Sequence, residues 1–153
     1  MRIFTPLLII ATMGCADMGL SRFDSGEAGI PELSVAPEGD LQFGRVSPSI
    51  DKSALQELTL YSAGDATLAI VDVYLDDSSS GAYSVRGDLP LPLRLEPGRE
   101  FPVEVRFVPF AVGTFAAELV VLFDDGTAEG ESYRVPIKGE GCQDAEQTGI
   151  CGS

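Results

Sequence analysis

The sequence has 153 residues, with 24 Asp and Glu against 10 Lys and Arg and a formal net charge of −14 at pH 7. That length suits one domain with enough chain to bury a core, and a hydrophobic fraction of 44% excludes a wholly disordered chain. The acidic balance makes nucleic acid and anionic lipid headgroups poor partners, because both are bound through clustered Lys or Arg. The absence of His removes the commonest general base and the commonest metal ligand.

The N-terminal segment has the pattern of an export signal. Arg2 is followed by a mainly apolar stretch, Ile3–Met13, which is shorter than the roughly 20 residues of a membrane-spanning helix. A basic start, a short apolar run and small residues at its end are typical of a secretory signal peptide. Gly14 and Cys15 resemble the cleavage site of bacterial lipoproteins, in which the Cys becomes the lipid-bearing N-terminus. We therefore predict a lipoprotein signal peptide over residues 1–14 and lipidation of Cys15, with an ordinary signal peptide as the alternative.

Residues 15–30 are predicted to be a lipid-anchored, flexible acidic tether. After Cys15 they contain three Gly, two Ser and three acidic residues, with little periodicity. A coil of this length spans about 20 Å, so we expect the domain that follows to stand off the membrane. Ala16, directly after the predicted lipid-bearing Cys, favours the outer membrane under the sorting rule familiar from enteric bacteria.

The two cysteines that remain form an even pair near the C-terminus. Cys142 and Cys151 enclose a polar segment suited to a turn. In an oxidising compartment such a pair is expected to form a disulfide, and closing so short a loop stabilises a fold by about 2–3 kcal/mol. The alternative is a pair of free thiols; zinc is disfavoured, because two thiols without His leave its four-ligand shell incomplete. We therefore predict that residues 142–153 form a tail closed by a disulfide.

From residue 31 to residue 141 the hydrophobic pattern has a period of two, which predicts β-strands. In the clearest example Val103, Val105 and Phe107 share one face, and charged residues lie on the other. The predicted strands are Glu32–Ala36, Leu41–Val46, Leu55–Ser62, Leu68–Leu75, Ala82–Val85, Leu91–Leu95, Phe101–Phe107, Thr114–Phe123 and Tyr133–Lys138. Seven to nine short strands separated by turns predict an all-β fold, an immunoglobulin-like antiparallel β-sandwich.

Two of the predicted strands contain proline and one is apolar on both sides. Pro102 and Pro136 cannot donate to a strand ladder, so each indicates an edge strand, a bulge or an amide that points outward. The strand Thr114–Phe123 has apolar residues on both of its faces, which suggests that both faces are covered.

One ordered set of motif residues extends through residues 31–141, at turns and within or beside the predicted strands. Its members are Phe43, Gly44, Gly64, Pro97, Gly98, Phe107, Pro109, Gly113, Gly139 and Gly141. In this order they resemble bacterial ASH-type domains (named for ASPM, SPD-2 and Hydin), which include the choice-of-anchor D proteins; Ser62 stands where that family usually has Asn. The resemblance implies an immunoglobulin-like sandwich related to major sperm protein and PapD-type domains, with no enzymatic activity and no catalytic residues. Phe43, Phe107 and Phe115 are read as core rings rather than a ligand cage.

The densest acidic clusters are the weak candidates for metal binding. They contain Asp76 and Asp77 in one segment and Asp124 and Asp125 in another. Carboxylate oxygens near turns suit calcium, but neither spacing fits an EF-hand loop, and solvated acidic loops are the commoner case. No nucleophile elbow, P-loop or dinucleotide motif occurs in the sequence. We therefore predict no enzyme, no cofactor and no metal site.

These observations predict a non-enzymatic lipoprotein of the bacterial cell envelope, lipid-anchored and leaning towards the outer membrane. It would present one immunoglobulin-like domain that binds or scaffolds a protein partner at the membrane surface; the sequence does not identify that partner. The alternative is a soluble periplasmic or secreted binding module, either chaperone-like by strand addition or adhesive and calcium-dependent. Neither nucleic acid nor a small-molecule substrate is indicated as a partner.

Overall fold

The computed structural model describes residues 29–48, 52–76, 81–126, 130–143 and 151. Within these ranges the regular structure consists of β-strands, and no helix there is long and apolar enough to cross a membrane. The strands are β1 (Leu33–Ala36), β2 (Leu41–Val46), β3 (Ala54–Ser62), β4 (Leu68–Asp76), β5 (Tyr83–Val85), β6 (Leu93–Leu95), β7 (Glu100–Phe107), β8 (Gly113–Asp124) and β9 (Glu131–Gly141).

The strands form two sheets that face each other. One has the order β1-β3-β7-β5, and the other has the order β2-β9-β8-β4-β6. The predicted all-β sandwich is confirmed, and its neighbouring strands are antiparallel except for β2 and β9, which run parallel. Residues 37–40 carry the chain from β1 in the first sheet to β2 in the second, so β1 and β2 do not form a hairpin.

The core lies between the sheets and contains the inward-facing residues whose alternation predicted the strands. Its aromatic part surrounds Phe107, which is completely buried. The ring centroid of Phe107 lies 4.8 Å from that of Tyr83, 5.8 Å from that of Phe43 and 5.7 Å from that of Phe115. The Tyr83 hydroxyl donates a 3.0 Å hydrogen bond to the carbonyl oxygen of Phe115. These contacts join β5 and β7 of the first sheet to β2 and β8 of the second.

The outward face of β8 is covered along part of the strand. Val120 is completely buried although it lies outside the core cluster, between Tyr74 of β4 and Arg134 of β9. Nη1 of Arg134 lies 2.7 Å from Oε2 of Glu118 and 3.3 Å from Oδ2 of Asp76. Hydrogen bonds to Glu118 and Asp76 raise the pKa of this guanidinium. Among the described residues, the outward face of β8 is thus covered at Val120, as expected, whereas Ala116 on the same face is exposed.

Both prolines lie beyond the end of a neighbouring strand. Strand β5 pairs with β7 only along Val105–Phe107, so Pro102 lies where β7 has no strand on that side. Strand β2 pairs with β9 only from Ile137 onward, so Pro136 lies immediately beyond it. A missing N–H removes no ladder hydrogen bond at a position of this kind.

The chain enters and leaves the sandwich at opposite ends. At the entry end, the backbone nitrogen of Ile30 donates to Oδ1 of Asp65 over 2.6 Å. At the exit end, Gly113 pairs with Gly141 where β8 begins and β9 ends. Cys142 follows directly, and its backbone nitrogen donates a 3.0 Å hydrogen bond to the carbonyl oxygen of Val46.

The hydroxyl group of Ser62 is buried at the end of β3. Its Oγ atom has no hydrogen-bond partner within the described ranges, and the residue is completely inaccessible. We expect Ser62→Ala to raise the free energy of unfolding by about 1 kcal/mol, because it removes a buried polar group that gains nothing in return. Urea denaturation of both proteins measures the difference. A less stable variant would mean that the hydroxyl is hydrogen-bonded in solution.

The predicted cysteine pair lies at the exit end. The Cα atoms of Cys142 and Cys151 are 5.9 Å apart, a separation within the range of about 4.4–6.8 Å that is usual for disulfides. Cys142 is almost completely buried. The geometry therefore suits the predicted disulfide.

Replacing Cys151 by Ser is expected to lower the free energy of unfolding by about 2–3 kcal/mol, because the disulfide no longer restricts the unfolded chain. Urea denaturation under non-reducing conditions gives this difference. Adding a reductant should bring the parent protein to the stability of the variant and leave Cys151→Ser unchanged. Equal stability of the parent protein with and without reductant would identify the pair as free thiols.

Candidate functional site

Most of the motif residues have structural surroundings. Phe43 and Phe107 belong to the aromatic part of the core. A Cβ atom on Gly139 would lie 2.6 Å from the ring of Phe107, and one on Gly141 would lie 3.1 Å from Cβ of Pro109. These glycines allow β9 to pass close to the end of β7.

The other motif residues lie in turns, at strand ends or, for Gly44, at the register shift inside β2. Gly44, Gly98 and Gly113 have φ angles of 68°, 77° and 143°, which favour glycine. Gly98 follows Pro97 in the connection between β6 and β7, and its amide donates a 2.9 Å hydrogen bond to the carbonyl oxygen of Ser62. Such positions shape the backbone and supply no chemical group.

Gly64 is the motif residue at the entry end. A Cβ atom at Gly64 would lie 2.6 Å from the backbone nitrogen of Glu32 and would overlap the carbonyl oxygen of Ile30. The backbone nitrogen of Ala63 donates to the carbonyl oxygen of Glu32 over 2.9 Å. The turn after β3 thus holds the segment that leads into β1.

The acidic residues considered for calcium are not brought together. Asp76 and Asp124 lie at opposite ends of the ladder between β4 and β8. The carboxylate of Asp76 is bound to Arg134, and that of Asp124 accepts a hydrogen bond from the backbone of the following turn. Asp125 adjoins Asp124, whereas Asp77 lies outside the described residues. In the part of the chain that the structure describes, no group of three His, Cys, Asp or Glu side chains could hold a metal ion.

The predicted lipidation site is not covered by the structure. Cys15 and residues 16–28 lie outside the described ranges, as do residues 144–150 between the two C-terminal cysteines. Lipidation of Cys15 therefore stays a prediction from the sequence.

The feature that the sequence did not reveal is a free strand side within the second sheet. Strand β8 pairs with β9 along its whole length, from Glu131 to Gly141, whereas β2 pairs with β9 only from Ile137. Glu131–Pro136 therefore has no strand on its other side among the described residues; we call this stretch the open half of β9. It is left open because the chain lies in the first sheet as β1 before it crosses to β2. The break in hydrophobic alternation at residues 37–40 was the available signal.

A shallow concavity adjoins the open half of β9 on the outward face of the sheet. Its volume is about 290 Å³. It is lined by Val71, Leu122, Phe123, Gly130, Glu131 and Ser132. Val71 lies at the register shift of β4 and is 52% exposed, while the half-buried Leu122 lies directly opposite Ser132. The concavity thus extends over three strands and has an apolar centre.

The charge around this concavity is negative. Glu131 is exposed and forms no ion pair within the described ranges, and Asp124 at the end of β8 is exposed on the adjacent strand. Arg134, three residues further along β9, already binds Glu118 and Asp76. A cationic group on a ligand would therefore find an uncompensated carboxylate next to the concavity, on the other face of the sheet from Ser132.

A second concavity lies on the same face, towards the exit end. Gly44 and Gly139 contribute to its lining. Arg45 is paired with Glu140 at 3.4 Å, and Nζ of Lys138 with Asp40 at 2.5 Å. Its charged side chains are therefore engaged with one another, unlike Glu131 at the first concavity.

The sequence matches no family model and no curated protein, but solved structures share the fold. An ASH/PapD-like domain of human CEP192 (PapD-like domain 7) is 11% identical with a TM-score of 0.52, over 94% of this chain and 99% of that domain. The VesB protease of Vibrio cholerae is 18% identical with a TM-score of 0.53, over 71% of this chain and 31% of VesB. The periplasmic chaperone SfaE is 6% identical with a TM-score of 0.52, over 72% of this chain and 58% of SfaE. These likenesses show an immunoglobulin-like, ASH/PapD-like fold.

Proposed function

We propose that the protein is a non-enzymatic lipoprotein of the bacterial cell envelope that presents one immunoglobulin-like domain to a protein partner at the membrane surface. The observation that supports this most directly is the contrast between core and surface. The motif residues pack the core and shape turns, while the open half of β9 and its apolar concavity stay exposed. An unpaired strand side beside an apolar depression suits the binding of another protein.

The absence of His and the surroundings of the acidic residues argue against an enzyme. The concavity beside β9 contains Ser132 and Glu131 but no base of the kind that activates a serine hydroxyl. The likeness to VesB covers under a third of that protease and concerns the fold. Binding is therefore the function that the surface supports.

The lipid anchor is proposed from the sequence and agrees with where the chain enters the sandwich. Gly29, the first described residue, lies at the entry end beside Asp65. An anchor at Cys15 would therefore hold the entry end towards the membrane, and the exit end would point away from it. The choice-of-anchor D resemblance and the outer-membrane location belong to this same proposal.

Detergent phase partition tests the anchor. The protein produced in a bacterium with lipoprotein processing should partition into the detergent phase and incorporate radiolabelled palmitate. Cys15→Ala should remain in the aqueous phase without label, while its melting temperature stays that of the parent domain. An unlabelled parent protein in the aqueous phase would contradict the anchoring half of the proposal.

Site-specific crosslinking in cells tests the binding half. A photo-crosslinking amino acid is placed at Ser132, beside the concavity, or at Leu55, which is 47% exposed on the first sheet. A discrete adduct with one protein from the Ser132 position, and none from Leu55, is the expected result. Indiscriminate adducts from both positions would contradict a specific binding surface.

A soluble periplasmic or secreted binding module is the second candidate. The fold likeness to the periplasmic chaperone SfaE favours it. Release of the parent protein into the aqueous phase, together with suppression of aggregation of an unfolded client protein, would support this candidate over the lipoprotein.

The calcium-dependent form of this second candidate has its own test. We expect the melting temperature to be the same in chelator and in millimolar calcium, because Asp76 and Asp124 lie at opposite ends of their ladder. A specific ligand of the folded state would raise the melting temperature. Differential scanning fluorimetry with magnesium as the ionic-strength control makes the comparison, and a rise specific to calcium would restore the adhesive alternative.

A further inference from the structure

We propose that the open half of β9 and the adjoining concavity form a strand-addition site for an extended segment of another protein, in which a large apolar residue lies next to a basic residue. This inference rests on the proposed binding function and adds the surface and the chemistry of the partner. Backbone hydrogen bonds along β9 would hold the segment, and the concavity and Glu131 would select its side chains.

The backbone of the open half is oriented for such an addition. Pro136 has no N–H, so the ladder with β8 stays complete only if its nitrogen points to the side without a strand. Residues two apart on a strand direct their amide groups to the same side. Ser132 and Arg134 therefore present their N–H and C=O groups to that free side. A strand placed there would extend the second sheet beyond β9.

The length of the site is limited at both ends. Pro136 stops the row of donors, and Ile137 is already opposite Leu41 of β2. At the other end the site begins after Gly130, which lies just before β9 and has a φ angle of 64°. An added strand would thus pair with about five residues, because longer pairing meets β2. The flanking strand and proline also limit indiscriminate edge-to-edge association.

The concavity fixes which side chain the segment places opposite Ser132. Side chains directly opposite on neighbouring strands have Cβ atoms about 4.5–5.5 Å apart and share a face. Ser132 is small, so a long apolar side chain opposite it can extend over it to the half-buried Leu122 on β8, at the near edge of the concavity. A Phe, Leu or Met residue would cover this apolar surface, whereas a short polar residue would leave it exposed to solvent.

The negative charge of Glu131 determines which kind of residue the segment places next to the apolar anchor. Glu131 pairs with Phe123 on β8, so it lies on the other face of the sheet from Ser132. The residue of the segment opposite Glu131 is therefore directly adjacent to the apolar anchor. Because Glu131 has no ion pair within the described part of the chain, Lys or Arg is the complementary residue there.

A second copy of this chain fits the site less well. Its own open half would present Ser132 and Arg134 on the outward face, and neither side chain fills an apolar depression. The segment before Gly29 contains Arg22 next to Phe23, which matches the required pair, so the experiment must separate this intramolecular occupant from a partner protein.

The test uses the chain from residue 15 onward with Cys15→Ala and a fluorescent eight-residue peptide. The peptide alternates Thr and Val and contains one adjacent Lys–Phe pair. Fluorescence anisotropy should show saturable binding, and backbone amides of Ser132 and Arg134 should gain protection from hydrogen exchange. Matched peptides with Ser for Phe, or Glu for Lys, should each bind roughly tenfold more weakly.

Two variants and one control locate the binding. Ser132→Pro removes an amide on the free side while leaving the ladder with β8 intact, and Leu122→Ser removes the apolar contact at the near edge of the concavity. Each should weaken binding at least roughly tenfold, whereas Ser132→Ala should stay within about twofold. Thermal melting of all three proteins verifies that they are folded. Unchanged affinity of Ser132→Pro, or equal binding of the peptide with Ser for Phe, would overturn the proposal.

The remaining outcomes identify other occupants. If deletion of residues 16–28 raises the affinity for the peptide several-fold, the chain's own N-terminal segment occupies the site and the proposal of a partner protein is wrong. If sedimentation shows a dimer that the peptide dissociates, the occupant is a second copy, which also overturns it. Failure of the peptide test together with a discrete adduct from Ser132 would reject strand addition by a segment of this chemistry but keep the proposed binding function.

Discussion

Replacing Phe107 by Ala is expected to lower the free energy of unfolding by about 3–5 kcal/mol, which is the range for removing a fully buried aromatic ring. Phe107 has no exposed surface, and its ring touches three other buried aromatic rings, those of Tyr83, Phe43 and Phe115. The cavity would open between the two sheets, where backbone strands prevent the surroundings from collapsing into it. Urea denaturation of Phe107→Ala and the parent protein measures the effect.

A matched Phe on the surface separates burial from the mere loss of an aromatic ring. Phe110 is 63% exposed and contacts only one ring of the described aromatic set, that of Phe115 at 5.0 Å. Phe110→Ala should therefore cost less than about 1 kcal/mol. Phe107→Leu should fall between the two, since it retains most of the apolar volume. Similar losses for Phe107→Ala and Phe110→Ala would contradict the description of Phe107 as the centre of the core.

The fold was predictable because β-strands that are buried on one face alternate in sequence. In β7 the alternation alone assigns Val103, Val105 and Phe107 to the inward face, and all three are completely buried. The prediction Leu41–Val46 is the observed β2, whereas β9 extends over Glu131–Gly141, beyond the predicted Tyr133–Lys138 at both ends. Each of these inferences needs only local information, namely a period of two and the residues that end a strand.

What the sequence did not predict depends on pairing between distant strands. The parallel contact of β2 with β9 joins residues almost a hundred positions apart, and no local pattern encodes it. The open half of β9 is a consequence of this register. The burial of Val120 also depends on distant neighbours, because Tyr74 and Arg134 come from two other strands. The apolar residues on both faces of β8 predicted the burial of Val120 but not which strands lie beside it.

The motif glycines also divide into those that the local backbone conformation explains and those that only contacts with distant residues explain. Gly44, at the register shift inside β2, and Gly98, in a turn, have positive φ angles, which favour glycine. Gly141 instead owes its place to a segment more than 25 residues earlier in the chain, the connection between β7 and β8. A family resemblance marks such a position, but only the fold shows which atoms approach it.

Gly141→Ala is therefore expected to lower the free energy of unfolding by about 2–3 kcal/mol, the upper part of the usual range for overpacking, because backbone atoms are in the way. A Cβ atom at residue 141 would overlap the carbonyl oxygen of Ala111 and lie 3.0 Å from its carbonyl carbon. Backbone cannot rotate away as a side-chain end can, so the end of β9 or the connection before β8 would have to move. Equilibrium unfolding in urea measures the loss.

Gly44→Ala is the control that distinguishes this close approach from the general cost of replacing glycine. Gly44 has a φ angle of 68°, and a Cβ atom there would meet nothing within 4 Å. Its replacement should cost about 1–2 kcal/mol through backbone strain alone. The difference between the two variants then measures the contact between β9 and Ala111. If Gly141→Ala lowers the free energy of unfolding no more than Gly44→Ala does, the backbone at the exit end can move to accept a Cβ atom. The packing of β9 against Ala111 is then not what requires a glycine at residue 141.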